Sequence, residues 1–173
     1  SKIAGAIPGV NWQERGPNNC GGRTRTIMVD PNDPTKKTVW SAGVAGGLWK
    51  TTDINLSSPI WVSQNDFFLI FAITSICYAP NNTQVFYFGT GEGYFNADFQ
   101  RGNGIWKSTD GGSTWNQLAS TNANANFYYV NRMVVHSSGD IYVATNSGIF
   151  RSQNGGTTWT SVLSTVSGSV TNN

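Results

Sequence analysis

Histidine, cysteine and charge are scarce in this chain, and each scarcity closes a line of chemistry. Of 173 residues, one is histidine and two are cysteine. His136, Cys20 and Cys77 cannot supply the four ligands of a usual His/Cys zinc site, so no metal centre is expected. A Ser-His-Asp triad would have to use His136, and no G-x-S-x-G elbow accompanies it. There is no G-x-x-x-x-G-K-S/T phosphate loop, and no cofactor is expected. Charged residues are 12% of the chain, 11 Lys and Arg against 9 Asp and Glu, for a formal net charge of +2. That field is too weak to argue for nucleic acid or an anionic membrane. The longest apolar run, Phe67 to Ile73, is far short of the roughly 18 residues of a membrane-crossing helix. No signal peptide opens at Ser1, but a mature secreted chain would have lost it.

What is abundant is aromatic and glycine content. Aromatics are 13% of the chain, with 7 Trp and 20 Gly, and hydrophobics reach 38%. A single domain of this length can bury a core with that material. Asn, Ser and Thr together approach a third of the chain. A surface solvated by amides and hydroxyls suits an extracellular protein better than a cytosolic one.

The chain repeats. Gly47-Leu48-Trp49-Lys50-Thr51-Thr52-Asp53, Gly104-Ile105-Trp106-Lys107-Ser108-Thr109-Asp110 and Gly148-Ile149-Phe150-Arg151-Ser152-Gln153-Asn154 share one pattern. It reads Gly, aliphatic, aromatic, cation, hydroxyl, any, Asp or Asn. A turn and a Trp follow each: Trp61, Trp115 and Trp159. Two strand-like runs precede each. The first set is 26–30, 74–79 and 132–136, and the second is 39–42, 85–89 and 141–145. All are rich in β-branched and aromatic residues and bounded by turn formers. A short strand begins at each Trp. The pattern predicts four antiparallel strands per repeat, A to D, with essentially no helix. Four-stranded units of about 40–50 residues in tandem are the signature of a β-propeller.

The junction is specific. Ser108, Asp110, Gly112, Thr114 and Trp115 fill every fixed position of S-x-D-x-G-x-T-W, and Ser152, Asn154, Gly156, Thr158 and Trp159 do so with Asn for Asp. The first copy, around Asp53 and Trp61, is longer and degenerate. Asp accepts hydrogen bonds from the turn's N–H groups, Gly takes positive φ, and Trp packs beneath the hairpin. On these residues the chain resembles the Asp-box (BNR) repeat propellers, a superfamily that includes sialidases, xyloglucan-cleaving endoglucanases, sortilin-type receptors and a photosystem assembly factor. Its opening is similar to N-terminal propeller modules of large secreted bacterial proteins. Trp12, Gly16-Pro17-Asn18, Gly21-Gly22-Arg23, Asp30-Pro31, Gly46-Gly47-Leu48-Trp49-Lys50-Thr51 and Gly89-Thr90-Gly91-Glu92 carry that likeness. The resemblance implies a secreted or surface location in a bacterium.

The expected layout is a closing outer strand at 11–15, blade 1 at 23–65, blade 2 at 72–120, blade 3 at 130–165 and a linker at 166–173. Three blades are one short of the usual minimum for a closed ring. Trp12 reads as the strand that completes a last blade, so further blades are expected beyond this chain or from a second one. A three-blade chain closing by dimerisation is the alternative. The third blade should then leave Met133, Val135 and Phe150, or their neighbours on the opposite pleat, at an open flank.

Alternating strand direction places the A–B and C–D turns on one face and the B–C and D–A loops on the other. The boxes are C–D turns. The informative loops lie opposite, above all the long B–C connection from Gly91 to Asn103. Glu92, Tyr94, Phe95, Asp98, Phe99 and Arg101 from that loop, with Phe67 and Tyr128 from the D–A loops, are the ligand-binding candidates. Arg15, Arg23 and Arg25 are further basic residues for the same face. A glycosidase needs two carboxylates flanking its bond, and Glu92 and Asp98 are the candidates, with Glu92 first. The competing role for Glu92 is structural: binding loop N–H groups or pairing with Arg101.

The enzyme families of the resemblance have features this chain lacks. The sialidase R-I-P motif is absent, and Val44 stands where the xyloglucan-cleaving family carries a catalytic Asp. The expected function is therefore a non-catalytic propeller binding glycan or protein on the face opposite the boxes. The alternatives are a glycoside hydrolase completed by absent blades and a pure spacer. Cys77, inside an inner strand, reads as a small buried apolar residue, with a Cys20–Cys77 bridge as the alternative.

Overall fold

The computed structural model describes residues 23–44, 46–64, 72–94 and 99–164. Twelve strands form three four-stranded sheets, each paired antiparallel in chain order. The first contains β1 (Thr24–Val29), β2 (Val39–Gly43), β3 (Gly47–Thr51) and β4 (Val62–Ser63). The second contains β5 (Ile73–Ala79), β6 (Asn82–Thr90), β7 (Ile105–Ser108) and β8 (Asn116–Gln117). The third contains β9 (Val130–Val135), β10 (Ile141–Thr145), β11 (Gly148–Ser152) and β12 (Thr160–Ser164). The helical content among the described residues is two turns of 3-10 helix, Ala119–Thr121 and Ala125–Phe127. These are three blades of a partial β-propeller.

The blades stand side by side on their innermost strands, β1, β5 and β9. Hydroxyls stitch them together. Thr26 Oγ1 accepts from the Ile76 N–H at 3.1 Å, and Ser75 Oγ accepts from the Met133 N–H at 3.0 Å. The Thr74 hydroxyl donates to the Val130 carbonyl. The Ile76 and Met133 N–H groups and the Val130 carbonyl thus find partners at the seams without continuing the sheet from blade to blade.

The pleat of the middle blade feeds two cores at once. Phe86 and Phe88 point to the first blade and join Met28, Trp40, Ala42, Leu48, Ile73 and Ile76. Tyr87 and Ile105 point the other way and join Phe127, Val130, Met133, Ile141, Val143 and Phe150. Period-2 alternation therefore buries both faces of the sheet, each large side chain contributing roughly 1.5–3 kcal/mol. Gly89 is required by this packing: a Cβ there would run into the Val130 side chain.

The box-motif turns fasten these cores at one end. Ser108 Oγ accepts from the Gly112 N–H at 2.8 Å, and Asp110 accepts from the Thr114 N–H at 2.9 Å and its hydroxyl at 2.6 Å. In the third blade Asn154 Oδ1 accepts from the Thr158 N–H at 2.9 Å while its Nδ2 donates to the Thr158 hydroxyl at 2.8 Å. The amide replaces the carboxylate by reversing one hydroxyl. Gly112 has φ +86°, and a Cβ there would lie 2.5 Å from Cη2 of Trp40. Trp115 donates to the Gly112 carbonyl at 3.0 Å and packs on Trp40, Phe86 and Phe88, so it seals the seam between two blades. In the first blade Asp53 accepts from the Asn55 N–H at 2.9 Å and pairs with Lys37 at 3.4 Å.

Of the two pleats offered for the third blade's open flank, the one with Met133 and Phe150 is buried against the middle blade, and Val135 is half-buried. The exposed residue on β9 is their pleat neighbour Val134, and Ile27 and Val29 on β1 are exposed likewise. Cys77 is half-buried as a residue and packs against the second core. The Trp12 strand, Cys20 and the 166–173 segment lie outside the described residues.

Candidate functional site

The ends of the blades opposite the box turns share an irregularity. The innermost strand of every blade carries one extra residue near its start, marked by a register shift against its partner strand. The extra residues are Arg25, Thr74 and Asn131. A bulge re-aims a side chain, and bulges concentrate beside functional sites. Here three of them ring one end of the channel.

Glu92 is the centre of this mouth. It leaves β6 after Gly91, whose φ is +94°, and its main chain forms a two-way bridge with Gln100 at 2.9 and 3.0 Å. The bridge pins the base of the long loop and buries Glu92 completely. Both carboxylate oxygens are engaged from the first blade. Arg23 Nη2 reaches Oε2 at 2.9 Å, and Arg25 Nη2 donates to Oε1. The Arg25 guanidinium also lies 5.0 Å from the centre of the Tyr94 ring. Glu92 thus ties the first blade to the second, and the partner expected from sequence, Arg101, is elsewhere: it stacks 3.6 Å over Tyr128.

A second polar chain runs from the same loop to the third blade. Asn146 Nδ2 donates to the Gly93 carbonyl at 2.9 Å, and Asn131 Nδ2 donates to Asn146 Oδ1 at 2.9 Å. Gly93 must be glycine here, since a Cβ would meet the Tyr129 ring at 2.6 Å. Aromatic rings stand around these groups. Phe99 meets Tyr129 edge-on with centroids 6.4 Å apart, and Tyr94 and Phe99 are each more than half exposed, at 53% and 56%.

The structure therefore brings Glu92, Tyr94, Phe99, Arg101 and Tyr128 to one end of the blades. Phe67, Phe95 and Asp98 lie outside the described residues. Phe127, the neighbour of Tyr128, is buried in the core between blades two and three. Asn131 and Asn146 were not among the sequence candidates. The available signal was the polar pair opening β9, Asn131-Arg132, which aligns with Arg25-Thr26 and Thr74-Ser75 near the starts of β1 and β5.

Below the mouth is a cavity of about 560 Å³ lined by Arg25, Ile27, Ile76, Cys77, Arg132 and Val134, among others. Burial pushes the Cys77 thiol up to about 12, so it holds its proton and is no nucleophile at neutral pH. Among the described residues no group of three His, Cys, Asp or Glu could hold a metal ion, and no helix is long and apolar enough to cross a membrane.

No family model and no curated protein matches the chain. Solved structures do. An ancestral GH74 enzyme superposes with a TM-score of 0.60 at 22% identity, over 81% of this chain and 18% of that one. The GH74 enzyme of Niastella koreensis gives 0.55 at 25% identity, over 78% and 20%. YCF48 bound to D1 peptide gives 0.57 at 17% identity, over 89% and 46%. The shared fold is the β-propeller. The chain spans about a fifth of the two GH74 enzymes and less than half of YCF48.

Proposed function

We propose that this chain is a non-catalytic Asp-box propeller module of a secreted or surface-attached bacterial protein, binding a glycan or a protein at the mouth opposite the boxes. Its blades span 23–65, 72–120 and 130–165, with 11–15 and 166–173 serving closure and connection to further blades.

Glu92 carries the non-catalytic reading. A general acid or base must reach the proton it moves, whereas both Glu92 oxygens are spent on Arg23 and Arg25 and the residue has no exposed surface. The other described carboxylates, Asp30, Asp33, Asp53, Asp110 and Asp140, belong to the A–B or C–D ends of their strands. The second carboxylate that glycoside hydrolysis requires is thus not beside Glu92 among the described residues. What supports binding is the exposed rings of Tyr94 and Phe99 beside polar groups on a long loop, the mix that suits stacking on sugars or a protein contact. Replacing Tyr94 and Phe99 together by Ala should abolish retention on glycan and peptide arrays with the melting temperature kept. Retention at wild-type strength would refute the placement.

The fold shared with two GH74 enzymes favours one competing reading, a glycoside hydrolase whose remaining carboxylates lie outside the described residues. Polysaccharide hydrolysis by the full chain would establish the hydrolase, and its loss in folded Glu92→Gln would assign Glu92 to the reaction. Unchanged hydrolysis would remove Glu92 as acid or base.

A further inference from the structure

Two finished seams show how this chain joins one blade to the next, and the third blade presents the same face open among the described residues. On the innermost strands the pleat turned toward the following blade carries Thr26 and Met28 in β1, then Ser75 and Cys77 in β5. Register places Arg132 and Val134 there in β9. Behind them stand Trp40 with Lys50, Tyr87 with Lys107, and Tyr142 with Arg151. In each blade the cation lies over the ring, at 4.6, 5.5 and 5.8 Å.

Trp40 and Tyr87 are buried, because a glycine turn of the next blade lies against each pair. A Cβ on Gly112 would strike Trp40, and the Gly155 carbonyl accepts from Lys107 Nζ at 3.4 Å. Tyr142 is only half-buried, and beside it Val134 and Leu163 are 52% and 60% exposed. Exposed apolar side chains gathered on one face mark a docking surface. Continuity with the two finished seams says what it takes: the glycine turn of another box-type blade.

One position breaks the series. Thr26 and Ser75 stitch their seams by accepting the N–H of Ile76 and of Met133 from the next innermost strand. Their counterpart in the third blade is Arg132. A guanidinium has five N–H donors and no acceptor, so it cannot receive a strand N–H. Arg132 is exposed, and no carboxylate pairs with it among the described residues. A second copy of this chain fits poorly here. Its first blade would bring up Ile27, the counterpart of Ile76 and Met133, and so set an N–H and an aliphatic side chain against a charged donor.

We infer that the open face of the third blade takes a further box-type blade whose innermost strand brings a carboxylate to Arg132, and that Arg132 keeps copies of this chain from stacking end to end. The inference rests on the reading that further blades complete the ring. A carboxylate answers a guanidinium with two charge-assisted hydrogen bonds. A guanidinium covered without one is left as an uncompensated charge.

The test is sedimentation velocity over a concentration series, on wild type and on variants at the exposed positions Ile27 and Arg132. Wild type should stay monomeric. Ile27→Glu puts a carboxylate where the incoming strand meets Arg132. It should associate with itself about tenfold more tightly than wild type, less so in high salt, and lose the gain when Arg132→Ala is added. Arg132→Thr restores the hydroxyl of the finished seams and should also tighten association about tenfold, without the salt dependence. Melting temperatures at low concentration report that each variant folds. Wild-type dimers as tight as those of the variants would overturn the inference and, with it, the need for further blades. Folded monomers throughout, or a gain in Ile27→Glu that survives Arg132→Ala, would overturn the inference alone.

Discussion

The two ends of the blades treat their polar groups in opposite ways. At the box end Ser108, Asp110 and Thr114 satisfy one another within eight residues, and Ser152, Asn154 and Thr158 repeat the arrangement. At the mouth the bonds run from blade to blade, through Glu92 to Arg23 and Arg25 and through Gly93 to Asn146 and Asn131, and Arg25 Nε and Asn131 Oδ1 have no hydrogen-bond partner among the described residues. Locally closed turns stabilise the blade that owns them. A network that needs a further partner to be complete is suited to recognition. On the reading proposed above, the box end serves stability and the mouth serves binding.

Glycine substitutions at the two ends give the largest contrast. Gly112→Ala places a methyl against Trp40 in a backbone conformation that alanine rarely adopts, and should destabilise the chain by about 2–4 kcal/mol, seen in denaturant or thermal unfolding. Gly93→Ala meets Asn146 and Tyr129 at the mouth and should cut ligand retention more than it cuts stability. If Gly93→Ala proves the more destabilising of the two, the contrast fails.

Glu92→Gln comes next. It leaves Arg23 and Arg25 facing an uncharged amide in a fully shielded place. Because Arg23 is half exposed, the expected loss is about 1–3 kcal/mol, measured by equilibrium unfolding. A loss below about 0.5 kcal/mol would mean that the inter-blade tie is idle.

Much of the fold was legible because the repeat is local. The S-x-D-x-G-x-T-W turn and the alternating runs around it place every described strand to within a few residues, since turn chemistry and pleat period are written in adjacent positions. The side of the pleat was not legible. Met133 and Phe150 are apolar whichever neighbour covers them, and both faces of a middle blade are buried, so alternation alone cannot say which face meets which blade. The mouth was half legible. Its long loop and rings stand out, but the partners of Glu92 come from a different blade and nearly seventy residues away, a distance over which spacing carries no information. Asn131 is marked only by its place in the repeat, at the polar start of an innermost strand, and Asn146 matters through contacts that the repeat does not share.

The smallest expected effect separates the two box turns from each other. Hydrogen bonds from the Thr114 hydroxyl and N–H and from Ser108 hold the Asp110 carboxyl down at about 2, below its ordinary 3.8. A carboxyl depressed in the folded state lends stability that is complete above its unfolded value and is lost as pH falls through the folded one. That loss should run from about pH 4 to about pH 2. Asn154 has no such proton to take up. Asp110→Asn should therefore flatten, without abolishing, the fall in melting temperature between pH 5 and pH 2, because Asp33 is also drawn down, chiefly by the Thr35 hydroxyl. Asn154→Asp should steepen it. Identical acid profiles for the three proteins would contradict this account of the turns.

The division of labour between the ends is tested most directly by one paired measurement. Melting temperature and array retention are recorded together for Asp110→Ala and for Tyr94→Ala/Phe99→Ala. The account predicts that Asp110→Ala melts lower and binds as wild type, while the double variant melts as wild type and does not bind. Loss of binding in Asp110→Ala at an unchanged melting temperature, or full binding by the double variant, would contradict it.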